Sequence, residues 1–232
     1  MKNIWVENYP EGVPAEIDTK EYQSIADLFH KSIEKFCDLP AYSNMGKVLS
    51  YHELDTLSRN FSAYLTSELG MKKGDRIAIM MPNLLQYPVV LFAALRAGLV
   101  VVNTNPLYTE RELAHQLSDA ACSTIVILEN FAHTLEKVLD QTTIKTVITT
   151  RIGDMLSFPK STLINFVIKR VKKMVPAFNL PHAMTFTEVL KQGRKLPFDD
   201  VELSHDDIAF LQYTGGTTGV AKGAMLGCRN SH

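Results

Sequence analysis

Eleven consecutive residues late in the sequence have the types and order needed to grip phosphate: Tyr213-Thr214-Gly215-Gly216-Thr217-Thr218-Gly219-Val220-Ala221-Lys222-Gly223. Glycines at 215, 216 and 219 let the backbone take positive φ and approach a ligand closely, while Thr214, Thr217 and Thr218 add hydroxyl donors. Lys222 supplies a mobile cation to offset phosphate charge, and Gly223 leaves room for the chain to turn back. The chemistry implied is nucleotide binding. A P-loop ATPase does not fit, because no Gly-Lys-Ser/Thr follows a four-residue spacer. The plainer alternative is a Gly/Thr-rich hairpin turn with an incidental lysine, against which the length of the ordered match weighs.

A loop of this kind must be held by regular elements. Ile208 to Tyr213 reads as a buried strand running directly into it. Further strands are expected at Arg76–Met80, Leu99–Val102, Thr124–Leu128 and Lys145–Thr149, separated by helical stretches at about 86–97, 109–119 and 130–140. Short, continuously apolar strands divided by helices imply right-handed crossovers and a parallel sheet covered on both faces, so the expected fold is α/β, a doubly wound parallel sheet flanked by helices. Ser50 with Glu53, Thr109 with Glu112 and Thr185 with Glu188 have the spacing of helix capping boxes.

Upstream, Ile25, Leu28, Phe29 and Ile33, then Leu54, Leu57, Phe61 and Leu65, recur at helical spacing and mark two helices packed on the sheet. The expected organisation is an N-terminal helical segment over 1–70, an α/β subdomain over 71–207, and a strand with the phosphate loop over 208–232 opening a further, truncated subdomain. The polar stretch Lys191 to Asp207 is the softest boundary. No repeat or low-complexity tract interrupts the chain.

Bulk properties narrow the partners. Apolar residues make up 46% of the 232 residues and charged residues 21%, an ordinary globular balance. A formal net charge of −1 gives no global reason to bind nucleic acid. Cys37, Cys122 and Cys228 are far apart and lack CxxC spacing, which argues against a disulfide framework or zinc knuckle and for a reducing cytoplasm. The first ten residues carry no apolar run of signal-peptide length, and Pro88 to Val102 is too short for the ~20 residues of a membrane span.

With these residues in view, the sequence resembles the adenylate-forming enzymes, which include acyl-CoA synthetases, firefly-type luciferases and peptide-synthetase adenylation domains. Tyr213 to Gly223 matches the signature loop of that family. Met81-Pro82-Asn83-Leu84-Leu85-Gln86-Tyr87-Pro88, Asn103 to Thr109 and Asn130 to Val138 extend the resemblance to bacterial long-chain fatty-acid–CoA ligases over nearly the whole chain. The resemblance implies two steps: a fatty carboxylate attacks the α-phosphate of ATP, and coenzyme A then displaces AMP from the acyl-adenylate, with Mg2+ assisting the first. It implies that Thr214, Gly215, Gly216, Thr217, Thr218, Gly219 and Lys222 hold the β- and γ-phosphates, within a nucleotide-binding stretch from Tyr213 through Val220 and Ala221 to Ala224, and that Thr214 contacts the metal.

The adenine pocket, the acidic magnesium ligand, the acyl tunnel and the catalytic lysine of such enzymes lie later in sequence. No catalytic residue is therefore expected in this segment, which reads as the N-terminal portion of a longer ligase and, alone, as lacking turnover. Leu226-Gly227-Cys228-Arg229-Asn230 departs from the usual Leu-Thr-His-Arg-Asn. Two alternatives stay open: a non-catalytic binding or interaction module, and an adenylate-forming enzyme for another acid. Homo-oligomerisation is also open.

From Lys160 to Val175, Leu163, Ile164, Val167, Ile168, Val171, Met174 and Val175 recur at helical spacing among Lys160, Lys169, Arg170, Lys172 and Lys173. This composition suits a helix lying on the inner face of a membrane; it equally suits a helix whose stripe packs on its own domain. His30, His52, His115, His133, His182 and His205 show no metal-binding spacing, and Asp206-Asp207 reads as a solvated pair at a strand entry. Asn103 to Tyr108 follows a strand end, where its polar side chains face a cleft or order a turn through Asn105-Pro106.

Overall fold

The computed structural model describes residues 4–16, 21–214 and 221–227. Helix α1 (Ile25–Phe36) opens on Ser24, whose hydroxyl accepts from the Asp27 amide at 3.1 Å. Strands β1 (Pro40–Asn44) and β2 (Lys47–Ser50) then form an antiparallel hairpin that apolar periodicity does not announce. Its signal lies in the turn, where Met45 at φ 49° and Gly46 at φ 78° adopt the left-handed pair that matches strand twist. Helix α2 (Tyr51–Ala63) continues through a wider, π-type turn over Tyr64–Glu68.

From there strand and helix alternate: β3 (Arg76–Met80), α3 (Gln86–Arg96), β4 (Val100–Asn103), α4 (Glu110–Asp119), β5 (Thr124–Leu128), α5 (Ala132–Glu136) and β6 (Thr146–Thr150). Then come α6 (Lys160–Phe166), β7 (Met184–Thr185), α7 (Phe186–Gly193), β8 (Ile208–Thr214) and β9 (Lys222–Gly227). All three expected capping boxes form in both directions, at α2, α4 and α7. Pro88 is accommodated in the first turn of α3, where its missing N–H has no intrahelical partner to lose. The helix expected over 130–140 is shorter: α5 is flanked by 3₁₀ turns at Glu129–Phe131 and Leu139–Gln141. Its buried residues Ala132, Leu135 and Val138 recur every third position, which suits a three-residue turn better than an α-helix.

β3 to β9 build one sheet in the order β7-β6-β5-β3-β4-β8-β9, all parallel except the β8–β9 pair. The chain winds from β3 to β4 on one side, then crosses to β5 on the other, which is the expected doubly wound arrangement. Alternation along β3 sends Ile77 and Ile79 into an apolar cluster with α2, α3 and α7, and Ala78 and Met80 into a second cluster with α4 and α5. Burial on both faces explains why these strands are apolar without interruption.

One buried charge closes the structure just ahead of β8. Arg96, 4% exposed, donates from Nε and Nη2 to Asp200 at 2.7 and 3.1 Å, and from Nη1 to Asp55 at 2.6 Å and to Ser58 at 3.2 Å. It thereby pins the polar stretch before β8 to the α2–α3 pair. Among the described residues no helix is long and apolar enough to cross a membrane.

Candidate functional site

β8 pairs in parallel with β4, so its end at Thr214 lies at the carboxyl end of the parallel strands, the edge where doubly wound sheets place ligands. β9 returns antiparallel, with Tyr213 opposite Gly223 and Thr214 opposite Lys222. The phosphate-loop sequence is thus the connection of a hairpin rooted in the main sheet. Gly215, Gly216, Thr217, Thr218, Gly219 and Val220 lie outside the described residues; Tyr213, Thr214, Ala221, Lys222, Gly223 and Ala224 lie within them.

Strand alternation sorts the described residues onto two faces. Thr214 and Lys222 form a cross-strand pair, both exposed, so a hydroxyl and an ammonium stand side by side at the mouth of the loop. Tyr213 and Gly223 form the next pair, on the opposite face. There Tyr213 is 8% exposed and its hydroxyl donates to Asp119 Oδ2 at 2.5 Å. Burial, followed by the Asp119 carboxylate, pushes the phenol well above its ordinary range and keeps it a neutral donor. The side chain of Tyr213 therefore fixes the end of β8 from the α4 side of the sheet.

Gly223 has a different reason from the one its place after the loop suggests. A Cβ there would lie 2.9 Å from Cε2 and 3.0 Å from Cζ of Tyr213, so the glycine seats the tyrosine ring. Helix α4 supplies the rest of the support. His115 Nε2 lies 3.3 Å from the Ala221 carbonyl oxygen, and Gln116 Nε2 donates to the Asn103 carbonyl at 3.0 Å. His115, Gln116 and Asp119 share one side of α4, which thus holds β4, Tyr213 and the base of the loop together.

On the Thr214 face, Gln212 accepts from Asn103 Nδ2 at 3.5 Å, and Asn103 Oδ1 accepts from the Tyr87 hydroxyl at 3.0 Å. Burial pushes the Tyr87 phenol up, opposed by its bond to Asn103. Tyr87 and Gln212 were not singled out as candidate site residues by the sequence pattern, whereas Asn103 heads the stretch expected to face a cleft or order a turn. The period-two alternation from Gln212 to Thr214 is the signal that places Gln212 on the same face. The turn that follows β4 is ordered as its sequence suggests, with Asn105 Oδ1 accepting from the Leu107 amide at 3.0 Å.

Other sequence candidates fall elsewhere. Asp207 caps a turn through the Ser204 amide at 2.7 Å and pairs with Lys73 at 2.8 Å, at the start of β8 and so at the opposite end of that strand from the loop. Cys122 is buried, which pushes its thiol up to about 12 and removes it as a nucleophile. Cys228 lies outside the described residues. Among the described residues no three His, Cys, Asp or Glu side chains gather to hold a metal.

Comparison with known proteins shows the family and the fold. Residues 29–232 match the family model described as AMP-binding enzyme. The chain is 56% identical over 230 residues to a long-chain-fatty-acid–CoA ligase of Escherichia coli O157:H7, covering 99% of this chain and 41% of that protein. It is 36% identical to the ligase of the same name from Bacillus subtilis, covering 97% of this chain and 40% of that protein. The chain thus spans about two fifths of the length of these curated relatives. Among solved structures, the fold matches the anthranilate CoA ligase AuaEII in complex with anthranoyl-AMP, with a TM-score of 0.74 and 14% identity over 92% of this chain and 37% of that one. It also matches a long-chain-fatty-acid-CoA ligase from Archaeoglobus fulgidus, with a TM-score of 0.70 and 24% identity over 94% of this chain and 39% of that one.

Proposed function

The chain belongs to the AMP-binding enzyme family, and from that premise we propose that its parent protein is an ATP-dependent long-chain fatty-acid–CoA ligase. The observation that carries the substrate choice is 56% identity, across 99% of this chain, to a relative named for that activity. The exposed Thr214–Lys222 pair at the strand ends supports the ATP part of the reading.

In this reading the fatty carboxylate attacks the α-phosphorus of ATP, forming the acyl-adenylate and releasing pyrophosphate. The sulfur of coenzyme A then forms the thioester, its proton is lost, and AMP departs. In this proposal Lys222 would offset charge on the β- and γ-phosphates, and the Gly215–Gly219 backbone with the Thr217 and Thr218 hydroxyls would supply the other donors to them. Thr214 offers a hard, exposed oxygen that suits Mg2+. When bound, that ion neutralises phosphate charge. Tyr213, held by Asp119, keeps the loop root in register during the reaction. The segment 208–232, whose β8 and β9 extend the main sheet, leads in this proposal to the further subdomain of such ligases, and the protein acts in the cytoplasm with peripheral contact at the inner face of the cell membrane.

The test is a coupled assay of the full-length protein with ATP, oleate and coenzyme A, following AMP and pyrophosphate. Oleate-dependent release of both is expected, with Lys222→Ala raising KM for ATP. Turnover with an aryl or amino acid in place of oleate would replace the substrate reading, and failure to bind ATP would leave only an interaction module. Residues 1–232 alone are expected to give no thioester, because adenylation needs groups on both sides of the cleft.

A further inference from the structure

The segment between β6 and β7 leaves much of its apolar surface uncovered. Polar contacts tie it to the domain. Asn165 accepts from the Gly153 amide at 2.8 Å and donates to Asp154 at 3.2 Å; Lys169 lies 3.5 Å from Glu129; Asn130 donates to the Met174 carbonyl at 2.9 Å. Five of its apolar side chains face out, Phe158 at 85% exposed, Leu163 61%, Phe166 58%, Val171 64% and Met174 51%, while Ile164, Val167, Ile168 and Val175 are half-buried. No residue from 157 to 180 is buried. Met45, at the tip of the β1–β2 hairpin, is exposed beside them and its carbonyl accepts from Lys160.

Charge selects the occupant. Between Met155 and Thr187 the sequence carries Lys160, Lys169, Arg170, Lys172 and Lys173 and no Asp or Glu. Arg170, Lys172 and Lys173 are exposed and form no ion pair with any described residue. Bulky apolar groups flanked by unpaired cations, with no acid among them, complement a surface that is apolar inside and anionic at its rim.

The segment is tied to the β5–β6 side of the sheet, five strand spacings or ~24 Å from β9. It also leaves the carboxyl end of β6, the same end of the parallel sheet from which β8 enters the phosphate loop.

We infer that Phe158 to Met174 is a docking element for anionic lipid headgroups, inserting Phe158, Leu163, Phe166, Val171 and Met174 into the interface while Arg170, Lys172 and Lys173 pair with lipid phosphates. The purpose of this contact, delivery of a membrane-dissolved acid, rests on the ligase reading; the contact itself does not.

The experiment is co-sedimentation of the full-length protein with phosphatidylglycerol-containing vesicles and with pure phosphatidylcholine vesicles, at low and high salt. Wild type is expected to prefer the anionic vesicles and to lose them as salt rises. Phe158→Ser/Leu163→Ser/Phe166→Ser and, separately, Arg170→Gln/Lys172→Gln/Lys173→Gln are each expected to weaken that binding at least tenfold with an unchanged Tm. Equal binding of wild type to both vesicle types, or undiminished binding by either triple variant, overturns the proposal. A fall in Tm of the serine variant also overturns it, because the face would then be packed against protein, as would capture by an acidic protein in place of lipid. Turnover of soluble oleate on the same preparations separates the two readings: vesicle binding without turnover sinks the ligase and leaves the docking element standing.

Discussion

Helices α2 and α6 are built to the same grammar and buried in opposite senses. Each carries apolar residues at helical spacing, and each runs on into a π-type turn, Tyr64–Glu68 after α2 and Val167–Val171 after α6. Yet Leu54, Phe61 and Leu65 are fully buried, whereas Leu163 and Phe166 are more than half exposed. The difference lies in what surrounds them. α2 is covered by α3 and α7 over the sheet, and Phe61 lies 5.5 Å from Phe186 between ring centroids. α6 hangs beyond the end of β6 on a polar tether. A periodic stripe therefore reports that a helix has an apolar face; the covering of that face depends on neighbours remote in sequence.

The sharpest way to break this contrast is truncation on the two sides. Phe61→Ala is expected to cost ~3–5 kcal/mol of unfolding free energy, as a cavity in a closed core does. Phe166→Ala should stay within ~0.5 kcal/mol, and equal losses in denaturant titration would end the comparison.

Next in size is the clamp beside α2. Arg96→Ala removes a buried cation from two partners that still reach water, so a loss of ~3 kcal/mol is expected by the same titration. The clamp also carries a pH signature. Burial alone would raise the Asp200 carboxyl, but His30 Nε2, 3.3 Å away, and the bonds from Arg96 outweigh it and hold it well below the usual carboxylate range. A depressed folded-state pKa contributes stability above the unfolded value near ~3.9, and that contribution is lost as pH falls below it. Thermal melts from pH 6 to 3 should therefore steepen in wild type and flatten in Asp200→Asn; parallel curves would contradict the assignment.

Smaller still is the effect of Gly223→Ala, which forces a methyl against the Tyr213 ring and should cost ~1–3 kcal/mol. Pairing it with Tyr213→Leu should recover part of that loss, since the ring is the obstacle. An additive double mutant would place the strain elsewhere.

The strands were largely legible because a sheet buried on both faces needs unbroken apolar runs, and β3 and β5 fall where those runs do. Capping boxes were legible because their geometry is local. The β1–β2 hairpin was not: Tyr42 and Val48 are exposed, so no buried stripe marks it, and the Met45-Gly46 turn is its lone signal. At the site, Thr214 and Lys222 could be named from the motif. Asp119 and His115 could not, since they reach Tyr213 and Ala221 from a helix some hundred residues earlier.

The sequence by itself determined the alternation of strand and helix, the helix starts and the family motif at Tyr213 to Gly223, because each is written in residues close together in the chain. Only the tertiary structure decided that Thr214 and Lys222 share a face, that Tyr213 is a strut seated on Gly223, and that the apolar side of α6 looks outward. Those outcomes depend on strand register and on partners brought together across the sheet, and local periodicity carries no record of either.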